Sequence, residues 1–540
     1  MRSAILGVFC GLSLFACGQA SDVDKKDSGS SSAQDSSVEP GDLGLPDAVG
    51  APDATVTAPD ADPIFPDADA PAPDAGEPPV NHPPVASAGP DLSVQIGDMV
   101  ALDGSGSSDV DGTPLTFTWT LISSPRPGLQ FSATGAHPSF VPTWNGRFEI
   151  ELIVSDGVLE SRDTLVLMVD CRTPLEVRGY EASAPEWFDQ NPPPSCLDVI
   201  VRADTLVPGG ATLTLDPGVR VAVDGAARFG TAGGNFIAVG TESAPIWIGG
   251  TTAGPGGWRG LELADAPNAQ IAYVTLEGGG GALGEDPPNA DLEARGGTTV
   301  LIEHSILRGS AGFGARIGLY VLIENIYGDT FTGNAAGPLE VEINQVNKLG
   351  PDSTYTGNGV DKLRVRGSSL NTPSTWSYLG VPFVIGEIGQ DTVSFGRDVR
   401  IEAGVTVEVL DGVGIEIPLP FTTFESFGEA GQRVHLIGQS SGSGMWRGLL
   451  VRDGAHADLR NTTIEGGGGG SPWTAGQGMS NRANLSVLAG QPPTEVTVLD
   501  SDLLGSMGQG IWIEPAAGVS VSCTGVSAAQ PIVPRCPYQR

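Results

Sequence analysis

The sequence predicts an all-β protein, a β-sandwich followed by a β-solenoid that contains an internal duplication. Three observations lead there. Helical periodicity is missing, short alternating apolar and polar runs are separated by Gly, Pro, Asp and Ser, and one stretch occurs twice. Trp258-Arg259-Gly260-Leu261-Glu262-Leu263-Ala264-Asp265 runs through Tyr273-Val274-Thr275-Leu276-Glu277 into Gly278 to Gly281. It returns as Trp446-Arg447-Gly448-Leu449-Leu450-Val451-Arg452-Asp453, running through Thr463-Ile464-Glu465 into Gly466 to Gly470. The offset is constant, 446 − 258 = 465 − 277 = 188, so the two copies align without a gap. A strand, a corner and a second strand within ~24 residues match one solenoid coil.

The first segment, residues 1–16, places one arginine before an apolar run from Ala4 to Phe15, too short to span a bilayer as a helix. It reads as a signal peptide. Leu14-Phe15-Ala16-Cys17-Gly18 resembles the lipobox of bacterial lipoproteins. That resemblance implies cleavage before Cys17 and acylation there, with ~0.8 kcal/mol of anchoring per buried CH₂. Gly18 is not the aspartate that retains many such proteins at the inner membrane, so an outer-membrane address is expected. Residues 17–81 collapse to Asp, Pro, Ala, Ser and Gly, with Pro-Asp-Ala recurring at Pro46, Pro52, Pro59, Pro66 and Pro73. Such a segment lacks the apolar surface to offset ordering and reads as a disordered, extended tether.

Residues 82–170 carry short strands such as Leu115-Thr116-Phe117-Thr118-Trp119 and Phe148-Glu149-Ile150-Glu151-Leu152-Ile153-Val154, the pattern of a β-sandwich. Asn81-His82-Pro83-Pro84-Val85-Ala86, Leu102-Asp103-Gly104-Ser105-Gly106-Ser107-Ser108-Asp109 and Val154-Ser155-Asp156-Gly157 resemble the PKD family of immunoglobulin-like modules. The resemblance implies a spacer or adhesive unit of an extracellular protein. Asp103, Asp109 and Asp111 form a carboxylate-rich loop that suits calcium, the one cofactor the sequence raises. Thr113 stands where family members often carry a further aspartate, and loop aspartates more often cap turns through backbone amides.

Residues 171–540 hold the duplicated region, in two related halves of about 171–345 and 346–540. A second coil repeats as well: Val300-Leu301-Ile302-Glu303-His304 and Gly312-Phe313-Gly314 return as Val498-Leu499-Asp500 and Gly508-Gln509-Gly510. These motifs, with Trp-Arg-Gly-Leu, resemble the right-handed parallel β-helix family that includes pectate lyases and surface adhesins. Cys171 with Cys196 and Cys523 with Cys536 each close a short loop at an end of this region. In an oxidising compartment these two disulfides are expected, although four cysteines permit three pairings.

The formal net charge of −36 argues against a nucleic-acid partner, because a phosphate backbone would be repelled. It also serves plain solubility. Trp258 with Arg259 and Trp446 with Arg447 read either as sugar-stacking platforms or as corner packing with locally paired arginines. Glu277 and Glu465 are expected to point outward beside Asp265 and Asp453, as ligands or as a solvated face. The enzyme families of the β-helix resemblance bring signatures that the chain lacks, including Gly-His-Gly and a calcium-binding aspartate cluster beside a catalytic arginine. The leading expectation is therefore a lipid-anchored, non-catalytic adhesion or glycan-binding protein, its partner an extracellular polysaccharide or a surface protein. A polysaccharide lyase or hydrolase and a structural spacer are the alternatives.

Overall fold

The computed structural model describes residues 79–182, 186–190, 196–281, 290–474, 480–515, 517–528 and 532–533. Cys17, Cys536 and all but the last residues of the predicted tether lie outside them.

Residues 79–170 form the sandwich. Its larger sheet orders Leu92–Gln95, Glu160–Asp170, Gly146–Ser155, Thr116–Ser123 and Ser132–Thr134, and a small second sheet pairs Val100–Ala101 with Ser139–Phe140. Alternation decides which side is inside: Phe148, Ile150, Leu152 and Val154 are buried, while Glu149 and Glu151 between them face outward. Trp119 fills the centre, fully buried, and its indole N–H donates to the Gly135 carbonyl at 3.0 Å. That bond removes the cost of burying the polar end of the ring.

From Leu175 onward every coil contributes strands that pair in parallel with those of the next coil, giving a three-faced parallel β-helix. Among the described residues one sheet runs the whole length with thirteen strands, from Thr205–Pro208 to Ser527–Ala528. The other two faces are interrupted: sheets of seven and six strands cover the first half, and sheets of seven and six strands cover the second. The bore is filled by inward-facing Val, Ile and Leu and by stacked aromatic rings, such as Phe331 on Tyr355 at 5.4 Å between centroids. Burying such a side chain contributes ~1.5–3 kcal/mol, repeated on every rung.

The interruption lies between the duplicated halves. After Gly337–Glu342 the chain enters a 3₁₀-helix, Ile343–Lys348, in place of a strand, and Thr354 then bridges to Thr330 before Leu363–Arg366 rejoins the long sheet. This irregular coil changes which strand of the repeat meets which face. Leu261–Ala264 belongs to the long sheet, but its duplicate Gly448–Val451 does not; Val274–Glu277 lies off the long sheet, but its duplicate Thr462–Glu465 lies on it. The copies are therefore displaced along the rod and rotated by one face.

Cys171 and Cys196 are disulfide-bonded, across 25 residues of sequence. The bridge lies where sandwich and helix meet, because Cys196 packs into the buried cluster of the sandwich. Arg172 adds an ion pair to Asp98 at 2.6 Å. Cys523 is buried at the other end of the helix, and its expected partner Cys536 is outside the described residues.

Candidate functional site

The repeated Trp-Arg-Gly stretch is a structural corner. Trp258 and Trp446 are both fully buried, and their indole N–H groups donate to the carbonyls of Glu277 at 2.8 Å and Glu465 at 2.7 Å. Neither ring offers a face to a sugar, which corrects the platform expectation. The glycine of the motif is required for the same corner. Gly260 and Gly448 sit at φ 103° and 96°, and a Cβ there would lie 2.0 and 2.3 Å from the Ala290 and Ala483 carbonyls of the next coil.

The acids of the motif are separated rather than adjacent. Asp265 and Asp453 end their strands in left-handed corners at φ 49° and 58°. A further strand, Ala269–Ala272 or His456–Arg460, lies between each of them and Glu277 or Glu465. The three-faced coil thus places the expected neighbours on different sides. Asp265 accepts from Gly297 N–H at 2.9 Å. Glu277 accepts from the Trp247 indole at 2.9 Å and pairs with Arg308 at 3.0 Å, and these partners hold its carboxyl below the usual range although burial pushes the other way. Glu465 is exposed, and Arg259 is half-buried near Glu262. Arg295 and Arg316, like Arg308, are tied to glutamates, Glu262 and Glu340.

Arg447 and Asp453 do converge, in a cavity of about 410 Å³ that they share with Glu416, Arg452, Trp473 and Glu514. Its charges are largely committed. Arg452 pairs with both Glu416 and Asp453, and Arg447 lies 3.9 Å over the Trp473 ring while donating to the Ser471 and Asp391 carbonyls. These contacts clamp the chain around Trp473 against the sheet.

The three aspartates of the sandwich loop are engaged separately. Asp103 accepts from Ser105 N–H and faces His137 at 3.3 Å, whereas Asp111 accepts from His82 N–H and faces its ring at 3.1 Å. Asp109 accepts from Asp111 N–H, as a turn cap does. Among the described residues no group of three or more His, Cys, Asp or Glu side chains is placed to hold a metal ion.

A larger cleft, of about 680 Å³, opens at the interruption between the halves. Four successive corner loops line it: Ile317–Leu322, the start of the 3₁₀-helix, the turn after Arg366, and the turn from Glu387 to Gln390. Tyr320 stands on its rim, 88% exposed and held at φ 66°. A bulky side chain in the left-handed region costs of order 1–3 kcal/mol, and the corners of this helix hold Tyr273 and Phe421 there as well, so Tyr320 is set apart by its place on the cleft. Leu319 and Leu322, also exposed, continue the apolar rim. The floor is polar. Gln345 accepts through Oε1 from Ile323 N–H, and Gln390 through Oε1 from Glu387 N–H, which leaves both side-chain NH₂ groups as donors. Nothing in the residue pattern around Tyr320 marked this site, because a left-handed turn at Gly318-Leu319-Tyr320 has no fixed sequence signal when glycine does not occupy it.

The architecture is that of an all-β protein in which an immunoglobulin-like sandwich precedes a parallel β-helix. Residues 81–169 match the PKD domain family, which assigns the sandwich. No curated protein matches the chain. Among solved structures, the chain is similar to a nucleoside hydrolase-related hypothetical protein from Saccharophagus degradans that is associated with carbohydrate metabolism. The two are 25% identical over 17% of this chain and 26% of that one, with a TM-score of 0.15, and at that score the match bears on neither fold nor function.

Proposed function

We propose that this chain is a surface protein anchored by lipid at Cys17, with its folded part projected on the 17–81 tether to bind extracellular glycan without turning it over. The observation that carries this reading is Tyr320, strained and exposed on the rim of a polar cleft built by four coil corners. An aromatic ring beside amide donors suits a pyranose, which has one apolar face and an equator of hydroxyls. The ~4.8 Å rise from coil to coil is close to the length of one sugar ring, so successive corners can serve successive residues of an extended chain. The PKD domain is consistent with a module that spaces or supports an adhesive unit at the cell surface.

The test is retention of the mature full-length chain on immobilised polysaccharides, wild type against Tyr320→Ala, with reducing ends assayed in the same tubes. Wild type retained and the variant not, with no new reducing ends, supports the proposal. Retention indifferent to Tyr320 removes the cleft from it, and release of reducing ends converts the protein to an enzyme.

A further inference from the structure

We infer that the cleft selects uncharged glycans and excludes acidic ones. This rests on the reading of the cleft as a glycan site and names the ligand class.

The inference comes from the charges that line the floor. Two carboxylates, Glu342 and Glu387, face the cleft, with one guanidinium, Arg366. Arg366 is already shared: its Nη1 lies 3.5 Å from Glu340, and its Nε lies 3.4 Å from Glu387. Glu340 itself draws on Arg316 and Arg364, so the local arginines serve to neutralise glutamates of the protein. Among the residues lining the cleft there is thus no cation left over to receive a uronate, sulfate or sialic acid group. An incoming anion would meet two carboxylates within the screening length of ~8–10 Å.

The same carboxylates suit a neutral sugar. Glu342 accepts the N–H and the side-chain NH₂ of Asn344 at 2.7 and 2.9 Å, and Glu387 accepts Gly367 N–H at 3.2 Å. These bonds fix the position of each carboxylate and leave lone pairs for hydroxyl donors, while Gln345 and Gln390 supply NH₂ donors for hydroxyl oxygens. Acceptors and donors therefore alternate around a groove with an aromatic rim, the complement of a diol. Charge-assisted hydrogen bonds from sugar hydroxyls to carboxylates are the stronger kind, and losing one weakens binding by about tenfold.

The two ligand classes predict opposite signs for one double variant. The mature full-length chain is titrated with xyloglucan and galactomannan as neutral probes and with polygalacturonate and heparin as acidic probes. Wild type, Tyr320→Ala and Glu342→Gln/Glu387→Gln are compared, each checked by thermal melting. Glutamine keeps one acceptor at each position, for the Asn344 N–H and the Gly367 N–H, but no longer accepts from the Asn344 side chain, so binding is read only where the melt of the double variant matches wild type. The expected result is that a neutral probe binds, that Tyr320→Ala abolishes binding, and that the double variant, which neutralises two such acceptors, binds on the order of a hundredfold more weakly. Binding of an acidic probe that depends on Tyr320 and tightens in the double variant overturns the ligand class but keeps the cleft. A double variant that binds a neutral probe as tightly as wild type also overturns the class. No binding of any probe, or binding that ignores Tyr320, overturns the cleft reading and this inference with it.

Discussion

At the scale of the residue, the informative positions are those where a side chain opposes its surroundings. Asp329 is one: it is buried in the helix, its Oδ1 accepts Ser305 N–H at 2.7 Å, and its Oδ2 has no hydrogen-bond partner among the described residues. Burial raises its carboxyl to about 7. Asp291 is a second, with Oδ1 on Gly279 N–H at 2.6 Å, Oδ2 unpartnered among the described residues, and burial again raising the carboxyl. In the duplicate half Asn484 makes the matching bond to Gly467 and donates its NH₂ to the Leu504 carbonyl, so an aspartate at this place serves best when neutral. The sign follows: a folded-state value above the unfolded one gives stability that is complete below pH ~4 and lost as pH rises through the folded value. Asp329→Asn is expected to remove a decline in stability between pH ~4 and about 7, read as the difference from wild type in denaturant unfolding across that range. An unchanged pH profile would show that Asp329 is ionised in the fold. Tyr320→Gly is expected to stabilise the chain by about 1 kcal/mol while abolishing glycan retention, because glycine relieves the left-handed strain at that turn. Thermal melts and retention on the same preparation read both effects.

At the scale of the element, the corners explain what the sequence could and could not convey. Alternation in Gly146–Ser155 or Thr423–Phe427 identifies the buried side of a strand directly, because the period of two is a property of the strand itself. The Trp-Arg-Gly copies were legible as a duplication. Their burial was not, because an indole in a repeat serves a surface or a corner equally well, and only the Glu277 and Glu465 carbonyls decide it. Nor does strand pattern record which face a strand joins, so the rotation introduced by Ile343–Lys348 was hidden and with it the cleft. The Cys171–Cys196 pairing was one of the bridges expected, but Cys196 in the sandwich core gives it a joining role that loop length alone did not indicate. Cys171→Ser/Cys196→Ser is expected to lose ~3 kcal/mol of stability and to separate one melting transition into two as the sandwich uncouples from the helix. Calorimetry that still gives a single transition at the wild-type temperature would remove that role.

At the scale of the whole molecule, a lipid anchor and a tether are proposed to carry the sandwich and a helix whose halves meet at the candidate cleft. The anchor is tested by itself. Cys17→Ser is expected to shift the protein from the membrane fraction to the soluble fraction and to lose incorporation of labelled palmitate, whereas unchanged fractionation would rule out a lipid anchor at Cys17. The charge of −36 fits a ligand class without anions, since an acidic polymer would be repelled by the protein as a whole before reaching Glu342 and Glu387. The most direct measurement is a crystal structure of the folded chain with the neutral oligosaccharide that it retains best. The expected result is a sugar ring stacked on Tyr320, with hydroxyls within hydrogen-bond distance of Gln345, Gln390 and Glu387. Sugar bound on another face of the helix or on the sandwich, with the cleft at the interruption empty, would contradict it.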